Sequence, residues 1–357
     1  MAYTDIDKPT DYFETELYSG SSSDVTMNAL DFQPDWVWLK KISSSGDHVA
    51  YDSVRGTNKR LQPNANDAEV DRSGNNDELK AFNSDGWTLG TWNSNVTGSG
   101  SSNVSWNWKA GTSFTNDASS TGVGSIDSSG STSSDAGFSI ISYTGTGSLG
   151  TIAHNLGSTP ALLIFKERSE ARDWMVYHHK NTSAPATDYL LLNTDAATAD
   201  SDNFMNDTAP TSSVFTVKGF NEVNKSGQTY ICYAFTEKQG YSKFGSYTGN
   251  GNANGAFVYT GFSPAWVMIK RTDTTSDWNI MDNKRAVSVN PNTKELYANS
   301  SQAEATGGQT IRDYLSNGFK LRGTSGGTNA SGGTYVYIAF AENPFVTAGT
   351  KAAGTAR

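Results

Sequence analysis

The sequence predicts an all-β protein built as three tandem antiparallel β-sandwich modules of jelly-roll or lectin-like type. Three observations predict it. Apolar stretches are short runs rich in Val, Ile, Thr, Tyr, Phe and Trp, bounded by clusters of Gly, Asn, Asp and Ser. Helical periodicity is nearly absent. One pattern of landmarks also occurs three times along the chain, the mark of an internal repeat.

Each unit opens on a tyrosine followed two positions later by glycine: Tyr18-Ser-Gly20, Tyr143-Thr-Gly145 and Tyr247-Thr-Gly249. After 16 or 17 residues comes a proline, Pro34, Pro160 or Pro264, and six residues later a lysine, Lys40, Lys166 or Lys270. The runs between them, such as Asp35-Trp-Val-Trp-Leu-Lys40, are apolar on both strand faces and predict a strand buried on both sides. Eight residues past each lysine stand His48, Trp174 and Trp278, each opening another short strand. Asp-Gly at 85–86 and Asn-Gly at 317–318 put a tight turn directly before a strand. The stretches 66–82 and 304–315 carry i, i+3 or i+4 spacing that suits a short helix. The last strands open at Val104, Tyr230 and Tyr335. In the first unit Ser105, Asn107 and Lys109 alternate with Val104, Trp106 and Trp108, which predicts one solvated face. The other two units are apolar on both faces there, so units two and three are expected to pack together with unit one more independent.

The boundaries follow from these landmarks: module one over 1–110, a linker over 111–136, module two over 137–240, module three over 241–345 and a polar C-terminal tail over 346–357. The tract over 111–136, dominated by Ser, Thr, Gly and Asp, reads as a flexible linker or a loose strand.

The 357 residues carry 27 Lys and Arg against 36 Asp and Glu, a net charge of −9 that argues against nucleic-acid binding. The single cysteine, Cys232, excludes an intrachain disulfide and a cysteine-cluster zinc site, and its place on a strand face reads as a buried small hydrophobe. No apolar run approaches transmembrane length, so no membrane insertion is expected. The N-terminal residues Met1-Ala-Tyr-Thr-Asp-Ile-Asp7 lack the basic start and apolar run of a signal peptide, so assembly in a cytoplasm is expected.

Candidate chemistry is sparse. Glu14 and Glu16 share a strand face, and Glu167 and Glu170 lie in a loop, but solvated surface acids explain them more simply than the paired carboxylates of a glycosidase. No His-Glu-x-x-His or Gly-x-Ser-x-Gly motif is present, and no enzymatic activity is expected. His178 and His179 are adjacent on a strand and so point to opposite faces, which disfavours a shared metal ion. Asp195, Asp200 and Asp202 lack the spacing of an EF-hand loop and read as a solvated loop. No metal and no cofactor is expected. Asp52 with Arg55, and Asp282 with Arg285, repeat at one spacing and read as a structural turn or ion pair. Among Trp87, Trp92 and Trp106, core packing accounts for the first and last. Trp92, between Thr91 and Asn93, is the candidate glycan contact.

Several segments carry a resemblance: Met1-Ala-Tyr-Thr-Asp-Ile-Asp7, Phe32-Gln-Pro-Asp-Trp-Val-Trp-Leu-Lys40, Tyr51-Asp-Ser-Val-Arg-Gly56, Asp85-Gly-Trp-Thr-Leu-Gly90, Trp106-Asn-Trp-Lys-Ala-Gly111, Ala136-Gly-Phe-Ser-Ile-Ile-Ser-Tyr-Thr-Gly145 and Ala339-Phe-Ala-Glu-Asn-Pro-Phe345. Together they resemble a repeat module of unknown function found in predicted virion proteins, of tail-fibre or decoration type, of marine bacteriophages. The resemblance implies a non-enzymatic virion structural protein, a tail fibre or tail appendage in host attachment, or else a capsid decoration protein. It implies other virion proteins of tail or capsid as partners, a host surface glycan as target, and a homo-oligomer, in particular a homotrimer. A carbohydrate-binding or carbohydrate-active lectin-like protein is the alternative from another class.

Overall fold

The computed structural model describes residues 4–286, 289–306, 308 and 310–347. The fold is all-β, with several antiparallel sheets and only short helices. In the first unit, β1 (Phe13–Ser19), β2 (Trp36–Lys41), β3 (Val49–Asp52) and β4 (Ser102–Trp108) form a sheet in the order β1-β4-β2-β3. The second unit repeats the order with β5 (Phe138–Thr144), β6 (Leu162–Glu167), β7 (Met175–His178) and β8 (Thr229–Phe235) as β5-β8-β6-β7. The third follows with β9 (Ser242–Thr248), β10 (Phe262–Arg271), β11 (Asn279–Asp282) and β12 (Thr334–Pro344) as β9-β12-β10-β11. The last strand of each unit is therefore central, with its backbone paired on both sides, and its two faces are buried by the layers packed above and below it.

Each large sheet faces two ways. One face packs against a smaller sheet of its own unit, with Trp87 and Leu89 over the first, Phe215 and Val217 over the second, and Phe319 and Leu321 over the third. The other face points to a core that all three units share. Trp36, Trp38, Trp106 and Trp108 meet Leu162, Ile164, Tyr233 and Phe235, and Trp266, Met268, Ile338 and Phe340 there. The Trp36 ring stacks on Tyr233 at 4.3 Å, and Trp108 meets Trp266 edge-on at 6.0 Å. Aromatic pairs of this kind add to the burial term.

The repeat landmarks close the units into a ring. Lys40 Nζ donates to the carbonyls of Gly46 (2.8 Å) and Ser301 (3.2 Å), Lys166 Nζ to those of Arg172 (2.8 Å) and Asn66 (3.2 Å), and Lys270 Nζ to those of Ser276 and Asp195 (2.8 Å to the latter). Each amine thus ties its own loop to the unit before it, and the first unit is tied to the third. Three backbone bonds, Glu69 N to Arg168 O (2.8 Å), Thr198 N to Thr272 O (3.0 Å) and Glu304 N to Ile42 O (3.1 Å), run round the same ring. So do His48 to Tyr297 O (3.0 Å), Trp174 to Gln62 O (3.1 Å) and Trp278 to Leu191 O (2.8 Å).

Within each unit the opening motif has a fixed task. Tyr18, Tyr143 and Tyr247 donate their hydroxyls to the carbonyls of Val96, Val223 and Thr328 at 3.0, 2.7 and 2.6 Å. The backbone following each tyrosine runs so close to the facing loop that a Cβ at Gly20, Gly145 or Gly249 would lie 2.1, 2.3 or 2.3 Å from a carbonyl oxygen. Only glycine permits that approach.

Four expectations are corrected. Residues 111–136 are not a free linker: Thr112–Asn116 and Ser128–Ser133 pair with each other, and the latter pairs with β5, extending the second sheet. Backbone pairing needs no apolar side chains, so the Ser- and Gly-rich tract folds as an edge hairpin. The polar face of β4 is not solvated: Ser105 and Asn107 are fully buried, and Asn107 accepts from Trp87 Nε1 (3.0 Å) and donates to Glu14 O (3.1 Å). The first unit is not independent, because its four core tryptophans lie in the shared centre. Short strands at Val70–Asp71, Leu79–Asn83 and Arg312–Leu315 stand where helices were expected. Of the C-terminal tail, residues 348–357 lie outside the described residues.

Candidate functional site

Most of the residues that carried a chemical reading are used to hold the ring together. Asp52 Oδ2 accepts from its own Arg55 Nε (2.5 Å) and from Tyr233 Oη of the second unit (2.7 Å). Asp282 Oδ2 accepts from Arg285 Nε (2.7 Å) and from Trp106 Nε1 of the first (3.1 Å). His178, at the equivalent position of the second unit, donates from Nε2 to Tyr337 O (3.1 Å), while its Nδ1 accepts from Lys180 N (3.1 Å). His179 turns to Phe244 O (2.6 Å). Both imidazoles are therefore occupied by backbone groups of separate strands.

Among the described residues, no group of three or more His, Cys, Asp or Glu side chains is placed to hold a metal ion. The loop with Asp195 uses its backbone carbonyl, which accepts from Lys270 and from Ser276 N (2.8 Å). Glu14 and Glu16 are drawn apart: Glu14 accepts from Asp31 N (3.0 Å), with its carboxyl pushed up to about 7 by burial, and Glu16 pairs with Lys284 at 2.7 Å. Glu167 and Glu170 also divide, the first accepting from Ser169 N (2.7 Å) and the second pairing with Lys225. Cys232 is buried, and its thiol is pushed well up by desolvation. The amines of Lys40, Lys166 and Lys270 are pushed down to about 8 by burial, against which nearby carboxylates such as Asp47, Glu167 and Asp195 act.

Trp92 is 56% exposed, whereas Trp87 and Trp106 are in the cores. The Arg72 guanidinium lies 3.6 Å from the centroid of the Trp92 ring and is held there by Asp77, at 2.8 and 2.7 Å. One face of the indole is thus taken by a cation–π contact, and only the other can meet a ligand.

A second aromatic surface was not singled out by sequence reasoning. On the short strand Phe257–Tyr259, Val258 points into the core of the third unit while Phe257 and Tyr259 point out, 47% and 59% exposed. Tyr259 pairs across the ladder with Gly318, so no cross-strand side chain covers its ring. A cleft of ≈ 500 Å³ begins beside it, lined by Asp5, Glu237, Lys238, Lys243, Tyr259 and Phe345. Lys243 pairs with Glu237 at 2.8 Å, and Asp5 accepts from Gln239 N at 3.0 Å. The signal was weak because Phe-Val-Tyr is apolar at every position; which face is bare depends on a glycine 59 residues away.

The ring of three repeat units defines an all-β protein with one common centre. The chain belongs to the family described as a domain of unknown function (DUF7483), which matches residues 8–344. That match spans residues of all three units. Neither a curated protein nor a solved structure matches the chain.

Proposed function

We propose that this protein is a non-enzymatic structural component of a bacteriophage particle, a surface-exposed tail fibre or tail appendage acting in host attachment. The observation that carries the reading is the use of its buried polar groups. The amines of Lys40, Lys166 and Lys270, the carboxylates of Asp52 and Asp282, the imidazoles of His48 and His178 and the indole nitrogens of Trp106, Trp174 and Trp278 each join one unit to another. Such use suits a rigid body that presents contact surfaces, each unit being a sandwich-like layer pair packed on a common core. The segments resembling phage virion modules supply the setting.

Other virion proteins are the proposed partners, with homo-oligomer formation read by light scattering of the purified chain. The three units already close on one another within one chain, so a homotrimer would add symmetry between chains. Cryo-electron microscopy of the particle, with the copy number per virion, tests the proposal. A small multiple of three or six copies on the tail is expected. Hundreds of copies on the head would replace it with the capsid-decoration reading, and absence from the particle would overturn both.

A further inference from the structure

We infer that Phe257, Tyr259 and the adjoining cleft form a binding site for a neutral oligosaccharide of two or more pyranose residues. The inference deepens the attachment reading and rests on it for its biological setting. Phe257 and Tyr259 stand at alternate positions of one strand, with Cα atoms about 7 Å apart, so both rings lie on one exposed face and each can meet a different sugar of one chain. The exposed ring of Tyr259 offers an apolar face with a polar tip, the combination that stacks on a sugar ring and hydrogen-bonds its hydroxyls. Lys238, Gln239 and Asp5, which line the cleft beside it, bring donors and acceptors suited to hydroxyl groups.

The fixed charges decide the class of sugar. Asp5 and Glu237 balance Lys238 and Lys243, and Glu237 is already paired with Lys243. The cleft therefore carries no surplus charge to hold an acidic or a basic glycan. An apolar partner fits less well, because desolvating these charged groups without replacing their hydrogen bonds is costly. Trp92 is the lesser platform, one of its faces being covered by Arg72.

The test applies the full chain to immobilised hexasaccharides of glucose, galactose and mannose, in α and β linkage, with a polyuronate as the acidic control. Titration calorimetry then follows on the strongest binder. Binding to at least one neutral hexasaccharide is expected, weakened at least tenfold by Tyr259→Ala, several-fold by Phe257→Ala and less than twofold by Trp92→Ala. Tyr259→Phe should keep most of the affinity if stacking dominates. Both rings are exposed, so the variants should fold, which circular dichroism checks. Failure of every neutral probe, preference for the polyuronate, or an unchanged affinity in Tyr259→Ala would each overturn the inference. None of these results alters where the protein sits in a particle, which the virion copy number decides separately.

Discussion

Asp282 accepts from the indole of one unit and the guanidinium of its own, with both the acid and Arg285 fully buried at the side chain. Asp282→Ala leaves that guanidinium without its main counter-charge, so a loss of about 3–5 kcal/mol is expected. Tyr143→Phe removes only a neutral hydroxyl from Val223 O, with an expected loss of about 1 kcal/mol. Urea unfolding of both variants checks the ranking. His178 gives a pH signature. Burial pushes its imidazole down to about 3, whereas the unfolded chain titrates near 6.5. As pH falls below 6.5 the unfolded state takes up a proton that the folded state refuses until about pH 3, so stability drops with falling pH across that window. The expected slope from this one group approaches 1.4 kcal/mol per pH unit. His178→Gln should flatten the stability profile between pH 6 and 4 by about that amount; an unchanged profile would show that the imidazole takes up its proton in the fold as readily as in the unfolded chain.

At the scale of elements, the edge hairpin over 112–133 marks what could and could not be read in the sequence. The strands after each proline were legible because both faces are apolar, and the landmark spacing revealed the three units. The hairpin was legible only as a loose strand, the alternative to a linker, because its pairing rests on backbone bonds and on contacts that composition hides. Ser128 donates to Ala153 O at 3.0 Å, and Gly130 lies so close to Ile140 O that any side chain would collide with it. The polar face of β4 misled for a related reason: Asn107 and Ser105 look solvated until the indole of Trp87 and the carbonyls of β1 are brought to them. The Tyr259 surface escaped because its exposure depends on which residue lies across the ladder. If the hairpin is part of the sheet, amides of 112–116 and 128–133 should exchange at least tenfold more slowly than those of the exposed 250–254 loop. Equal rates, measured by hydrogen exchange with mass spectrometry, would restore the linker reading.

The whole molecule is one folding unit if the shared centre carries the stability that its composition suggests. Each large sheet has its own small sheet on one face, so a unit alone would keep part of its core. It would, however, expose the other face: Ile164, Ile231, Tyr233 and Phe235 in the second unit, all buried in the ring. Exposing four large side chains costs on the order of 1.5–3 kcal/mol each, which is comparable with the whole stability of a domain of this size. A fragment of residues 137–240 is therefore expected not to fold by itself. In the full chain Trp106→Ala, made in the first unit, removes an indole that contacts Trp266 and bonds to Asp282 in the third. A loss of about 3–5 kcal/mol is expected, and it should appear equally in the most protected amides of all three units, with a single calorimetric transition before and after the substitution. Independent modules would behave otherwise: only the first unit would exchange faster, and the substitution would split the melting curve in two.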